Sequence, residues 1–191
     1  MMKTIRSFFA IMLDPAIKND MSTCLSALKH AVPDSNLRWV KIEHLHVTLQ
    51  FLNSLKSECV PQLIKKMQNT LKNTPSFQLE IGALQWFPTS SHPKILSFTV
   101  GPHSILNDLS ASIGHELTAL NIPIENRPFR AHMTLGRLAS HHLLAETVDL
   151  SQIKLPPIPS ITINELFFIE SKPQSEGSNY SPLARFKLRE E

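Results

Sequence analysis

Glycine is scarce in this chain of 191 residues. The five present, at positions 82, 101, 114, 136 and 177, never fall at the spacing of GxGxxG or GxxxxGKS/T, which disfavours dinucleotide-binding and P-loop chemistry. The two cysteines, Cys24 and Cys59, form no CxxC, so neither a disulfide framework nor a cysteine-rich zinc site is available. A reducing cytoplasm is then the default compartment. No apolar run approaches the roughly 20 residues that a membrane helix needs. The opening Met1-Met2-Lys3-Thr4-Ile5-Arg6 resembles a basic signal n-region. However, the apolar run from Phe8 to Leu13 stops at Asp14-Pro15 with no small-residue cleavage site after it, so it reads as a first strand of a soluble protein. Charge of one sign is nearly balanced by the other: 19 basic against 16 acidic residues leave +3, a weak pointer to an anionic partner.

What remains, 42% hydrophobic and 18% charged residues without low-complexity runs, is the composition of a folded globular protein. The length suits a single domain over residues 1–191. Phe8–Leu13 reads as a strand, and Asp14-Pro15 supplies an N-cap and a first-turn proline. Ile17, Met21, Cys24, Leu25 and Leu28 recur at helical spacing, and Pro33-Asp34-Ser35-Asn36 ends that helix. An extended element runs from Arg38 to Leu52. Val60, Leu63, Ile64, Met67 and Leu71 mark a second helix, followed by a strand from Phe77 to Leu84 and a turn-rich stretch from Pro88 to Pro93.

The order then restarts. Ile95–Val100 is a strand, and Ser104 caps a helix with the stripe Ile105, Leu109, Ile113, Leu117 and Leu120. Pro123–Pro128 breaks it, and a strand from Ala131 to Leu138 follows. Two further strands, Ser160–Glu170 and Leu183–Leu188, close the chain. Each half thus carries a strand, a capped helix, a breaker and a strand with His-x-Thr: His46-Val47-Thr48-Leu49 and His132-Met133-Thr134-Leu135. From Phe8 to His46 is 38 positions, and from Ile95 to His132 is 37. The match indicates an internal duplication and an α+β protein of two similar lobes.

Residues i and i+2 of a strand share a face, so His46 projects with Thr48 and His132 with Thr134. Two lobes related by an approximate twofold would bring both pairs to one cleft. Imidazoles titrate near neutrality, so one can accept a proton while another donates. Threonine hydroxyls can hold phosphoryl oxygens. Chance predicts about 0.5 His-x-Thr occurrences for this composition; two at equivalent points of a repeat carry more weight than their number. His30, His92, His103, His115, His141 and His142 lack repeated context and read as solvated surface residues. His44 and His46, at i and i+2, are a possible metal pair, but the second half has Arg130 where His44 would recur, and no Asp or Glu stands near His132.

These residues resemble the two-histidine (2H) phosphoesterases, specifically the bacterial-type RNA 2′,3′-cyclic phosphodiesterases also called 2′-5′ RNA ligases. The resemblance rests on Phe8-Phe9-Ala10, on Leu45-His46-Val47-Thr48-Leu49-Gln50-Phe51-Leu52, and on Arg127-Pro128-Phe129-Arg130-Ala131-His132-Met133-Thr134-Leu135-Gly136-Arg137. Tyr180-Ser181-Pro182-Leu183, followed by Phe186 and Leu188, resembles the last strand. It implies a bilobal pseudo-twofold α+β fold, with two antiparallel-sheet lobes, helices outside and a central cleft. It also implies metal-independent hydrolysis of RNA ends or nucleotides carrying a 2′,3′-cyclic phosphate to 2′-phosphomonoesters, without cofactors and without requiring more than a monomer. By motif position His46 would be the proton donor and His132 the proton acceptor, with Thr48 and Thr134 on the phosphate. The resemblance also implies a reversible 2′-5′ RNA ligase activity.

Arg137 matches the arginine after the second signature, although strict alternation from His132 points it to the opposite face unless the strand twists or ends near Gly136. Arg127 and Phe129 stand in the loop before that signature, where a cation and a ring can meet phosphate and base. Asn53 replaces the family's usual glycine and suits a left-handed turn. Two other classes remain open: an RNA-end binding module without significant catalysis, and a metal-dependent hydrolase built on His44, His46 and His132.

Overall fold

Thr4–Met12 forms the first strand, β1, buried from Ser7 to Ile11. Beyond it the Asp14 carboxylate accepts a hydrogen bond from the Ala16 amide at 2.7 Å, and a single 3-10 turn at Pro15–Ile17 leads into α1 (Lys18–Ala31). All five residues of the predicted stripe are buried. The molecule is seen through a computed structural model that describes residues 3–32, 37–125, 127–138, 148–174 and 177–190. The predicted breaker Pro33–Asn36, and His141 and His142, lie outside the described residues.

The single extended element expected from Arg38 to Leu52 is divided. It becomes β2 (Leu37–Trp39), a 3-10 turn at Ile42–His44, and β3 (His46–Lys56). Asn53 lies inside β3 and takes no left-handed conformation; among described non-glycine residues only Asn121 does, at φ 56°. A register shift in the β1–β3 ladder, between the Ile5–Leu55 and Ser7–Leu52 pairs, absorbs the irregularity at Asn53 instead. Helix α2 (Val60–Leu71) follows, then β4 (Phe77–Phe87) and β5 (Ile95–Gly101). Helix α3 (His103–Ala119) starts one residue before the expected cap Ser104. Pro102, extended at ψ 133°, makes the break, with no side-chain cap. The helix stops at left-handed Asn121, ahead of the Pro123–Pro128 segment. Strand β6 (His132–Leu138) carries the second signature, and the strand expected over Ser160–Glu170 is split into β7 (Ile161–Ile163) and β8 (Glu165–Gln174). β9 (Gly177–Lys187) completes a hairpin with β8.

The strands form one curled antiparallel sheet in the order β7-β4-β5-β6-β3-β1-β8-β9, with β2 added to β6. The order is symmetric about its middle: β1 lies between β3 and β8 as β5 lies between β6 and β4. The halves are joined where β3 meets β6 at one registered pair, Val47 opposite Met133. Those are the central residues of the two His-x-Thr triplets, so the pseudo-twofold passes through the signatures.

One face of the sheet is closed by the helices. Phe9, Ile11, Val47, Leu49, Leu96, Phe98, Met133 and Leu135 share the main core with Met21 and Leu28 of α1, Leu63 and Met67 of α2, and Leu109 and Ile113 of α3. Ser110 fixes α3 to β3: its hydroxyl donates to the Leu49 carbonyl at 2.8 Å and accepts from Gln50 Nε2 at 3.1 Å. On the other face Phe8, Ala10 and Ile169 form a separate small cluster with Met12, Phe51, Phe167 and Tyr180 packed against it. Among the described residues no helix is long and apolar enough to cross a membrane.

Candidate active site

Strand alternation and two bulges decide which side chains share the second face. In β3, Thr48 pairs with Ala10 and Gln50 with Phe9, leaving Leu49 as an extra residue. In β6, Thr134 pairs with Ser97 and Gly136 with Leu96, leaving Leu135 extra. Each copy of His-x-Thr-Leu is therefore bulged at its leucine, and two successive residues turn toward the helices. Leu49 is in the main core while Gln50 reaches Ser110. Leu135 is likewise in that core, and a Cβ on Gly136 would lie 2.9 Å from Leu37 Cγ. The residue five places after each histidine thus rejoins the His/Thr face: Phe51 in the first copy, Arg137 in the second. Alternation alone sends Arg137 the other way; the bulge returns it.

Both histidines are held alike. His46 Nδ1 bonds to the His44 carbonyl at 2.6 Å, and His132 Nδ1 bonds to the Arg130 carbonyl at 2.8 Å. A carbonyl only accepts, so Nδ1 carries the hydrogen in each ring, and Nε2 of a neutral ring is left as a base. The surroundings differ. His46 is walled by Phe8, at 5.0 Å between ring centroids, and by Tyr180, edge-on at 5.5 Å. His132 stacks on Phe87 at 4.2 Å, and the Arg130 guanidinium lies 4.6 Å from the same Phe87 ring while donating to the Pro88 carbonyl.

Burial foremost, together with the charges of Arg137, His132 and His44 and against the opposing His44 carbonyl bond, brings the His46 pKa down to about 4. Burial also lowers that of His132, with Arg137 and Arg130 acting the same way and the Arg130 carbonyl bond opposing. Arg137 is the one cation felt by both rings, and it also acts on Tyr180, whose phenol burial raises. An anion entering this face therefore meets two neutral imidazoles and, in Arg137, a guanidinium that no carboxylate among the described residues pairs with.

Thr48 and Thr134 are half-buried beside their histidines. Ser97, paired with Thr134 and fully buried, has a hydroxyl without a hydrogen-bond partner among the described residues. Arg127 is ion-paired with Glu125 at 2.8 Å on the surface, and Phe129 is packed against the main core. The cation and ring that lie beside His132 are Arg130 and Phe87. The matching of Arg130 to His44, each two residues before a signature histidine, was the available signal; Tyr180 stood in the closing segment that resembles the last strand, and Phe87 and Ser97 had no signal. A pocket of about 290 Å³ opens beside His46 between Met12, His44, Phe167, Ile169 and Tyr180. A larger cavity of about 650 Å³ lies elsewhere, between α3, β4 and β7, with Asp108 as its one carboxylate and no histidine. No three His, Cys, Asp or Glu side chains among the described residues come together as a metal site.

The family described as LigT like Phosphoesterase matches residues 11–96, which include the first signature. The chain is 26% identical to the RNA 2′,3′-cyclic phosphodiesterase of Aquifex aeolicus over 79% of this chain and 81% of that one. It is 23% identical to the protein of that name from Thermotoga maritima, over 81% and 80%. Its fold superposes with TT0787 of Thermus thermophilus at a TM-score of 0.74 and 20% identity, covering 98% and 100% of the two chains. E. coli LigT complexed with 3′-AMP gives 0.74 at 23% identity, covering 97% and 99%. In sequence around the first signature, and in fold along nearly the whole chain, this protein is similar to the LigT-like phosphoesterases.

Proposed function

We propose that this protein is a phosphodiesterase that opens 2′,3′-cyclic phosphate ends of RNA or nucleotides to 2′-phosphomonoesters, using His46 as proton donor and His132 as base. The observation that carries the reading is the matched pair of imidazoles, each with Nδ1 tied to the carbonyl two residues back and Nε2 without a hydrogen-bond partner among the described residues. Relatives named RNA 2′,3′-cyclic phosphodiesterase support the substrate class.

In the proposed step His132 Nε2 takes a proton from water as the water oxygen bonds to phosphorus. The bond from phosphorus to the 3′ oxygen breaks, and that oxygen takes a proton from His46 Nε2. Thr48 and Thr134 donate hydroxyl hydrogens to the non-bridging oxygens, and Arg137 offsets their charge. The donor must be charged, whereas His46 in the free protein is neutral near pH 7. The bound phosphate monoanion supplies the opposing field and raises the pKa of both rings. The step calls on no metal ion. With a 5′-hydroxyl in place of water the same step, in the same direction, is 2′-5′ ligation; its reversal, cleavage of that 2′-5′ bond, exchanges the two roles.

His46→Ala and His132→Ala are each expected to lower turnover of a 2′,3′-cyclic mononucleotide by roughly 10²–10⁴-fold, with circular dichroism unchanged and wild-type activity surviving EDTA. Full activity in either variant, or RNA binding without hydrolysis at high protein concentration, refutes the proposal. The stronger apolar enclosure of His46 favours a second reading in which His46 is the base and His132 the acid. Bis(p-nitrophenyl) phosphate separates the two, because its leaving group needs no proton: the variant that keeps activity on it lacks the donor.

A further inference from the structure

Strand β2 brings an arginine to the site that its position in the sequence does not reveal. Arg38 is registered opposite Arg137, between the pairs Leu37–Leu138 and Trp39–Gly136. Registered residues of an antiparallel pair share a face with Cα atoms roughly 4.5–5.5 Å apart. Leu37, buried and crowding Gly136, marks the helix side. Arg38 and Arg137, both exposed, therefore project together on the His/Thr face. No carboxylate pairs with either among the described residues.

Two like charges opposite one another destabilise a sheet, and this pair stands at the end of β6 beyond Thr134. Arg137 acts on both imidazoles, whereas Arg38 is not among the charges that shift either ring. One guanidinium thus faces the reacting centre, and the second extends the positive surface away from it. Arginine forks suit phosphate oxygens in this arrangement, binding two at a time.

We propose that Arg38, together with Arg137, forms a second anion subsite. It holds the phosphoryl group on the 5′ oxygen of the nucleotide that carries the cyclic phosphate. This rests on the function proposed above and narrows its substrate: a 5′-phosphorylated unit, as in an RNA chain, is taken in preference to a cyclic nucleotide with a free 5′-hydroxyl. Arg38 acts on specificity and touches no reacting atom.

Three substrates with the same reacting group test it: a 2′,3′-cyclic nucleotide with a 5′-hydroxyl, its 5′-phosphomonoester, and a dinucleotide with the cyclic phosphate at its 3′ end. Wild-type kcat/KM is expected to be about 3- to 10-fold higher for the phosphorylated arms, through KM, and the advantage should shrink as salt rises. Arg38→Gln should erase the advantage, and Arg38→Lys should restore part of it. A gain for the dinucleotide alone identifies a chain phosphodiester as the occupant, and a gain for the monoester alone a terminal phosphate; both support the subsite. No gain in either arm, or a gain that survives Arg38→Gln, overturns it. If no arm is hydrolysed, the phosphodiesterase reading has failed. Calorimetry with adenosine 3′,5′-bisphosphate against 3′-AMP then tests the subsite by itself. Arg38→Gln must remove the tighter binding of the bisphosphate, and an equal effect on both ligands rejects the proposal.

Discussion

Acid should unfold this protein in part through one imidazole. His46 in the folded chain titrates at about 4 because burial and neighbouring cations oppose its charged form. In the unfolded chain it titrates near 6.5. Between these values the unfolded state binds a proton that the native state refuses, so stability falls as pH drops from about 6.5 towards 4 and levels off below. A gap of about 2.5 units corresponds to roughly 3 kcal/mol from this residue, an upper figure because the ring is only half-buried. The control is His46→Asn, whose amide can still donate to the His44 carbonyl but cannot titrate. Urea unfolding of both proteins at half-unit steps from pH 7 to 4 isolates the effect, since every other group is common to the pair. The stability difference between wild type and variant should shift by about 2–3 kcal/mol across that window, on the scale worked above. Parallel curves would show that His46 titrates alike in both states, and would refute the desolvated site on which the chemistry depends.

Gly136→Ala should cost about 1–3 kcal/mol in chemical denaturation, because the new Cβ would meet Leu37 Cγ at 2.9 Å and Cδ1 at 3.0 Å; a neutral result would mean β2 is not seated against β6. Phe87→Ala removes the ring stacked on His132 and admits water there, so the His132 pKa should rise towards the ordinary histidine value. Imidazole proton titration by NMR measures it, and a pKa that stays put or falls would contradict burial as the dominant cause.

The sequence by itself determined what depends on short range. Asp14-Pro15 starts the first helix because capping is local. The stripe of α1 is buried, and those of α2 and α3 are buried or packed against the core, because helical periodicity is local too. His46 shares a face with Thr48, and His132 with Thr134, because strand alternation holds over two residues. The repeat of that unit pointed to two related halves. Tertiary structure decided what depends on register. The bulges at Leu49 and Leu135, visible only in the ladders with β1 and β5, return Phe51 and Arg137 to the face that alternation denies them. The division of Arg38–Leu52 sends β2 to β6 and β3 to β1, which is how Arg38 comes to stand opposite Arg137. Phe87 and Tyr180 reach the histidines from strands far along the chain, and Arg127 and Phe129 are drawn off by a nearer carboxylate and by the core. Hydrogen-bond register between distant strands is a cooperative property of the whole sheet, and no local pattern of residues encodes it.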